Sequence, residues 1–524
     1  MTARDTALGW IEAHRADWSA WNRTIWEFGE TAWREYLSAD WYAERLAAEG
    51  FAVERGSGGM PTAFCAVWEN GAGPTIGGYV EYDGVPGNCQ AADVVERPRD
   101  GLSPEAGGHT DPHSALGIAS LAGMLAAKAA MQRHGIGGRL KLFGEPAEKV
   151  RGSKPIHAAR GYYDDLDAAL SFHPFYMLPL CNTVRWNTHC GAAYGAIYSF
   201  RCDSPESWLA MPSDSPIPAY HSAARAPGAN DAVVQMYLAG KALKEHVLAS
   251  GQSWSMNEAI LTMGQATADN LPARLAQIMY LCRVSTVAMA EHVIRALDHF
   301  ADAAARLAHC GWQRDWVTKG RPGLPNHVLA RATWRNLAAV GAPQFGPEAI
   351  ALANRIRAGL GLPAAERPFL AETEQLVEPE AAEAALRRML PATQEHFTSD
   401  DYTEFCWHAP TVRLYVGRPT LAPRPDGQGW PAWAMNALGG LAPCIDPMID
   451  TAARTLALTI LDLASDPALV AAARAEFVAR TGGGIGGTRW LAPLCDYAPP
   501  IHFRWPEYVT TPRGRREWVI PTGA

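Results

Sequence analysis

The chain has 524 residues, 48% hydrophobic and 19% charged, and its 46 Lys and Arg against 54 Asp and Glu leave a formal net charge of −8. That composition excludes a mostly disordered protein. The acidic balance argues against nucleic acid as a partner, which calls for a basic face, and no run approaches the roughly 18 apolar residues of a membrane span.

At roughly 100–200 residues per domain there is room for two to four domains. Met1-Thr-Ala-Arg-Asp carries no apolar signal segment, and the ten cysteines include no C-x-x-C pair, so reduced thiols in a cytoplasmic protein are expected. The first fifty residues read as two helices, the second stopped by Gly50. Short strand-like runs follow at Phe51-Ala-Val-Glu, Ala63-Phe-Cys-Ala-Val-Trp and Thr75-Ile-Gly-Gly-Tyr-Val. Next come a long Ala- and Leu-rich helix over 114–132 and strands at Leu140-Lys-Leu-Phe and Ala168-Ala-Leu-Ser-Phe. Strands alternating with helices predict an α/β fold with a mixed sheet flanked by helices. The texture then changes. Tyr194-Gly-Ala-Ile-Tyr-Ser-Phe-Arg alternates as a half-exposed strand should, and is expected at a sheet edge. A helix over 229–247, a strand over 276–283 and a helix over 288–310 complete a small α+β unit. The predicted division is 1–191 and 314–524 for a catalytic domain and 192–313 for an inserted lid. Pro419–Trp433, rich in Gly and Pro, is expected to be a surface loop.

Four segments at strand ends or loops carry candidate chemistry: Glu81-Tyr-Asp-Gly-Val-Pro-Gly, Gly107-Gly-His-Thr-Asp-Pro-His-Ser, Gly144-Glu-Pro-Ala-Glu-Lys and Ser171-Phe-His-Pro. Such positions are where α/β sheets keep their sites. Their carboxylates and imidazoles suit a borderline divalent ion such as zinc or manganese. Asp111-x-His113 offers two ligands, His173 a third, and Glu148 remains free as a general base on water. Plainer readings stand beside these. Asp111 as a cap of the following helix is as well supported as a ligand, His109 orients its loop, and Glu81 and Asp83 are turn residues.

The order of these segments resembles the aminoacylase and carboxypeptidase G metallopeptidases, in the branch of the aminobenzoyl-glutamate and indoleacetyl-amino-acid hydrolases. The resemblance runs from Trp26-Glu-Phe-Gly-Glu through Glu81-Tyr-Asp-Gly-Val-Pro-Gly, Gly144-Glu-Pro-Ala-Glu and Asp164-Asp-Leu-Asp-Ala-Ala-Leu-Ser-Phe-His-Pro. It continues in Tyr220-His-Ser-Ala-Ala-Arg-Ala-Pro-Gly and Ser399-Asp-Asp-Tyr-Thr-Glu-Phe, and so covers nearly the whole chain. It implies a catalytic domain interrupted by a lid that also dimerises. It implies Asp111, His113 and His173 as metal ligands, Glu148 as general base, and Asp83 supporting the site from behind. His221 would reach the neighbouring subunit's site and hold an oxyanion, and Asn270 and Arg283 would help hold the substrate.

Two departures from the family pattern matter. Lys149 stands where the pattern has a second Glu, and an ammonium has no lone pair to give a metal. The late ligand His aligns with Pro431, with His408 or His502 as possible replacements. Both losses fall on the same ion, so one divalent ion, manganese or zinc, is expected, with Lys149 supplying charge by pairing with Asp111 or Glu148. The resemblance then implies a metal-dependent hydrolase of a C–N bond in a small aromatic substrate. The bond is an amide or, as in the related nitroanthranilate aminohydrolase, a ring amine. The alternative is a non-catalytic binder descended from the same hydrolases. A homodimer or larger homo-oligomer through the lid is expected.

Overall fold

The computed structural model describes residues 1–203, 225–246, 254–264, 272–503 and 505–519. The first fifty residues form three helices rather than two: α1 (Ala3–Ala13), α2 (Arg15–Phe28) and α3 (Tyr36–Ala48). Thr2 and Asp5 close a reciprocal cap at the start of α1. Then follow β1 (Ala52–Arg55), β2 (Phe64–Glu69), β3 (Thr75–Val80), α4 (His113–His134), β4 (Arg139–Gly144), α5 (Lys154–Ala159), β5 (Ala168–Pro174) and β6 (Thr183–Val184).

The next elements build a second sheet: β7 (Ala192–Arg201), α6 (Ala229–His246), β8 (Ser255–Thr262), β9 (Leu275–Val284), α7 (Val287–Leu307) and β10 (Gly311–Gly320). The chain then returns through α8 (His327–Val340), α9 (Pro347–Gly359), α10 (Pro379–Met389), β11 (Thr411–Val416), α11 (Ala432–Gly440), α12 (Ala442–Ser465) and α13 (Pro467–Thr481). A hairpin of β12 (Glu507–Thr510) and β13 (Arg516–Val519) ends the described chain. The expected loop at 419–433 runs to Pro431, where α11 begins.

The larger sheet has the order β1-β2-β4-β3-β5-β11-β6. Its centre, β4-β3-β5-β11, is parallel, and β1, β2 and β6 pair antiparallel at its margins. The sheet is therefore mixed, and its buried central strands read as apolar runs because both faces are covered. α4 is long and apolar enough to pass for a membrane span, yet it is buried against the sheet, α1 and α12. Its Leu116, Ile118, Leu121 and Leu125 are almost wholly buried, and each such side chain contributes about 1.5–3 kcal/mol of apolar transfer. Gly117 lets α4 press onto the end of β3. A Cβ there would lie 2.3 Å from the Tyr42 hydroxyl and 2.8 Å from the Glu81 carbonyl. Gly117 is one turn beyond His113 on the same helix face, so this close approach seats His113 against the segment that follows β3.

The smaller sheet has the order β10-β7-β9-β8 and is antiparallel throughout. Tyr194, Ala196, Tyr198 and Phe200 face α6 and α7, while Ile197 meets Val317, Phe503 and Trp505 on the other face. The strand over Tyr194–Arg201 is thus interior, not half-exposed and not an edge. The alternation misled because both residue sets are apolar enough to bury. β8 and β10 are the edges, and β10 carries the sheet to Gly320, beyond the expected limit at 313.

Candidate metal centre

The four parallel strands end on one side of the sheet, where α/β folds gather their ligands. Glu81 and Asp83 follow β3, Glu148 and Lys149 follow β4, His173 lies near the end of β5, and Arg418 follows β11. His113 opens α4, and Asp111 lies two residues before it. Asp111 does not cap that helix. The cap position is Pro112, with no side-chain bond to the first turn.

The two imidazoles are each held at Nδ1. Nδ1 of His113 donates to Oδ1 of Asp83 at 2.8 Å, and Nδ1 of His173 donates to the Pro174 carbonyl at 2.6 Å. In each ring the lone pair is left on Nε2, the arrangement that acceptors behind the ring impose on metal-binding histidines. Nε2 of His173 and Nε2 of His113 lie 3.4 and 3.7 Å from Oδ2 of Asp111. Ligand atoms about 3.4 Å apart mark the edges of a tetrahedron with bonds of about 2.0–2.2 Å. Glu81, His113 and His173 also offer three mutually close buried ligand atoms. The donor set therefore fits a divalent ion of the zinc or manganese kind.

Glu148 lies in a single turn of 3₁₀ helix flanked by Ala147 (φ 56°) and Arg151 (φ 59°), two non-glycine residues in the left-handed region. Strain of this kind persists only where neighbours over-determine it. Glu35 accepts the Ala147 N–H at 2.7 Å, and Oδ2 of Asp83 accepts the Lys149 N–H at 2.7 Å. Asp83 thus orients both His113 and the turn that carries Glu148. Burial opposes the charge of Glu148, but Arg151 and then Lys149 hold its carboxyl well below the usual range. It is a buried ion with Oε1 at 3.0 Å from Arg151 and Oε2 at 3.5 Å from Nε2 of His113.

Lys149 pairs as expected, and with more partners. Its Nζ lies 3.1 Å from Oδ2 of Asp111, 2.9 Å from Nε2 of His113 and 3.8 Å from Oε2 of Glu148. The reading from sequence missed Arg418, whose Nη1 lies 3.3 Å from Oδ1 of Asp111 and 3.1 Å from the Thr110 carbonyl. Its signal was available: it sits just past a parallel strand neighbouring β5. Burial would raise the Asp111 carboxyl, but Lys149 and then His173 hold it well below the ordinary range. His408 and His502 do not restore a ligand. His408 is buried between Asp164 at 2.6 Å and Arg321 at 3.0 Å, and His502 is exposed beside Phe503. Pro431 caps α11. His109 is bound to the Ile25 carbonyl, as a loop-orienting residue should be.

Beside the centre is a cavity of about 360 Å³, lined by Arg151, Tyr176, Trp254, Arg283, His396 and Phe397 among others. The Tyr176 ring meets His173 edge-on at 5.2 Å, which joins cavity and centre. Burial, and then the nearby Arg151 guanidinium, lower Arg283 to about 10. Arg151 is paired with Glu148, so Arg283 is the cation that this cavity offers an anion. His221 and Asn270 lie outside the described residues.

No family model matches the chain. One of the subunits of p-aminobenzoyl-glutamate hydrolase from Escherichia coli (strain K12) is 28% identical over 351 residues, 67% of this chain and 68% of that one. The chain is thus similar to a hydrolase subunit, in keeping with the resemblance to the aminoacylase and carboxypeptidase G metallopeptidases read from its sequence. It is a hydrolase. The fold is shared with the aminobenzoyl-glutamate utilization protein from Klebsiella pneumoniae, with a TM-score of 0.54 at 15% identity, covering 87% of this chain and 98% of that one. A dinuclear metal-binding peptidase of the M20 family from Bacillus subtilis aligns at 12% identity with a TM-score of 0.43, over 86% of this chain and 99% of that one.

Proposed function

We propose that the protein is a single-ion hydrolase of a C–N bond in a small aromatic acid. The observation that carries this is the division of charge around Asp111. Lys149 and Arg418 bring two unit charges to its oxygens, the formal charge of one divalent ion, while His113 and His173, each held at Nδ1, turn Nε2 towards the centre for another. One ion of the manganese or zinc kind, held by Asp111, His113 and His173, supplies Lewis-acid activation and charge stabilisation when bound. The chain's own residues do the rest. The Glu148 carboxylate takes the proton from the attacking water and returns it to the leaving nitrogen. Asp83 fixes the His113 ring and the Glu148 turn. Arg283 draws the substrate carboxylate into the cavity, where Trp254, Tyr176 and Phe397 pack an aromatic ring.

The bond is that of an acylated amino acid or of a ring amine. A panel of aminobenzoyl-amino acids and aminobenzoates, with manganese or zinc supplied, decides between them. Release of an amino acid marks the amide and release of ammonia the ring amine. A well-folded, metal-loaded enzyme that turns over neither overturns the proposal and leaves a binder.

The proposed assembly is a homodimer through the lid, with His221 serving the partner's site. Inactive Glu148→Gln subunits mixed with inactive His221→Ala subunits should then regain activity, because hybrid dimers contain one intact site. If the subunits exchange and no activity returns, the shared site is wrong.

A further inference from the structure

Glu81 follows β3, two residues before Asp83, and is wholly buried. One oxygen is accounted for: Oε1 lies 2.7 Å from Nζ of Lys154, which also binds Oδ1 of Asp401 at 2.7 Å. The other, Oε2, is buried without any hydrogen-bond partner. It faces Nε2 of His113 at 3.5 Å. Nδ1 of that ring is held by Asp83, and Nε2 also lies 2.9 Å from Nζ of Lys149. Oε2 of Glu81 thus faces a ring nitrogen across the centre with no hydrogen bond between them. Leaving one buried polar atom unmet is costly, the more so for a charged group, and a cation placed between the two is the ordinary remedy. Lys149 does not supply it. Its ammonium serves Asp111, His113 and Glu148.

We infer that Glu81 is a fourth protein ligand of the ion, through Oε2, and not a turn residue or a mere partner of Lys154. The inference rests on the single-ion reading and adds to it. Glu81, His113 and His173 form one buried group of close ligand atoms. With Asp111 they make four protein ligands, two of them carboxylates. Four ligands would close a tetrahedral zinc site and leave no place for substrate. The set therefore selects an ion that accepts five or six oxygen-rich ligands, of the manganese kind.

The test is manganese titration of the full chain, followed by the paramagnetic resonance of free manganese, on wild type, Glu81→Gln, Glu81→Asp and His173→Ala. Melting without added ion reports on folding separately. Glu81→Gln keeps the shape and removes the charge. Glu81→Asp keeps a charge for Lys154 but draws the oxygens back, and remains as the test if the glutamine variant does not fold. The inference expects one ion in wild type, with the Kd raised at least about tenfold in each folded Glu81 variant, the scale of effect seen even for residues that only support a ligand from behind. A folded Glu81 variant that binds manganese with the wild-type Kd, while His173→Ala binds weakly, overturns this inference and leaves the single-ion reading standing. Failure of wild type itself to bind manganese or zinc overturns both.

Discussion

The two sides of the centre differ in how their charges are met. On the side of Arg418, Asp111 has cations on both oxygens, Lys149 at 3.1 Å and Arg418 at 3.3 Å. On the side of β3, Oε2 of Glu81 is buried 3.5 Å from Nε2 of His113 and has no hydrogen-bond partner. The chain neutralises the first side with its own residues. On the second side Lys154 meets Oε1 of Glu81 and Asp401, and Oε2 is left for the ion inferred above. Lys149 and Arg418, both half-buried, supply the positive charge on the first side.

Glu148 sits between the two sides, and its removal should have the largest effect. Glu148→Gln is isosteric but cannot take a proton. Loss of a positioned general base typically costs about 10²–10⁴ in rate. The variant should keep its melting temperature and metal content while losing turnover on that scale. Retention of more than about a tenth of the wild-type rate would show that the base lies elsewhere, and that Arg151 and Lys149 hold Glu148 ionised for structure alone.

The sequence reveals the ligands more readily than their surroundings, for a physical reason. Asp111, His113, His173 and Glu148 lie in short segments at strand ends, where residue type and place are both informative. Lys149 was visible as a departure from a pattern. Arg418 and Glu81 were not singled out, because their importance comes from what faces them: a carboxylate 307 residues away for Arg418, and a lone pair across the centre for Glu81. In the fold, the parallel core was readable as apolar runs between helices. The placing of Tyr194–Arg201 failed because alternation reports two faces without saying whether the second is covered. Here Phe503 and Trp505, far along the chain, cover it.

Arg283 extends the comparison to the cavity. Arg151 spends its charge on Glu148, whereas among the described residues no carboxylate pairs with Arg283. Its charge is available to a substrate. Hydrogen bonds to charged groups are worth about 1.5–3 kcal/mol, or roughly 10–100-fold in affinity. Arg283→Met should raise KM for an aromatic carboxylate by about that factor with kcat little changed, and should hardly affect the corresponding neutral ester or amide. An equal rise for both substrates would place Arg283 in packing and not in carboxylate recognition.

The last prediction reverses the charge that separates the two sides, and its effect is numerically the smallest, a change from one ion to two. Lys149→Glu replaces a donor-only ammonium with a carboxylate facing Asp111, Glu148 and His113. Three carboxylates then share the space with two cations, Arg418 beside Asp111 and Arg151 beside Glu148, and like charges this close raise one another's proton affinity unless a further cation enters. The apo variant should therefore melt lower than wild type, and added manganese should recover more of its stability, because an ion that binds only the folded state stabilises it by mass action. Metal content at saturation should rise from near one ion per chain towards two. Lys149→Met is the control: it removes the ammonium without adding a ligand, so it should stay near one ion and bind it more tightly, the His113 lone pair being released. A folded Lys149→Glu chain that still takes one ion would mean that Arg418 alone closes the second position, and Lys149→Glu with Arg418→Met would then be the pair that opens it.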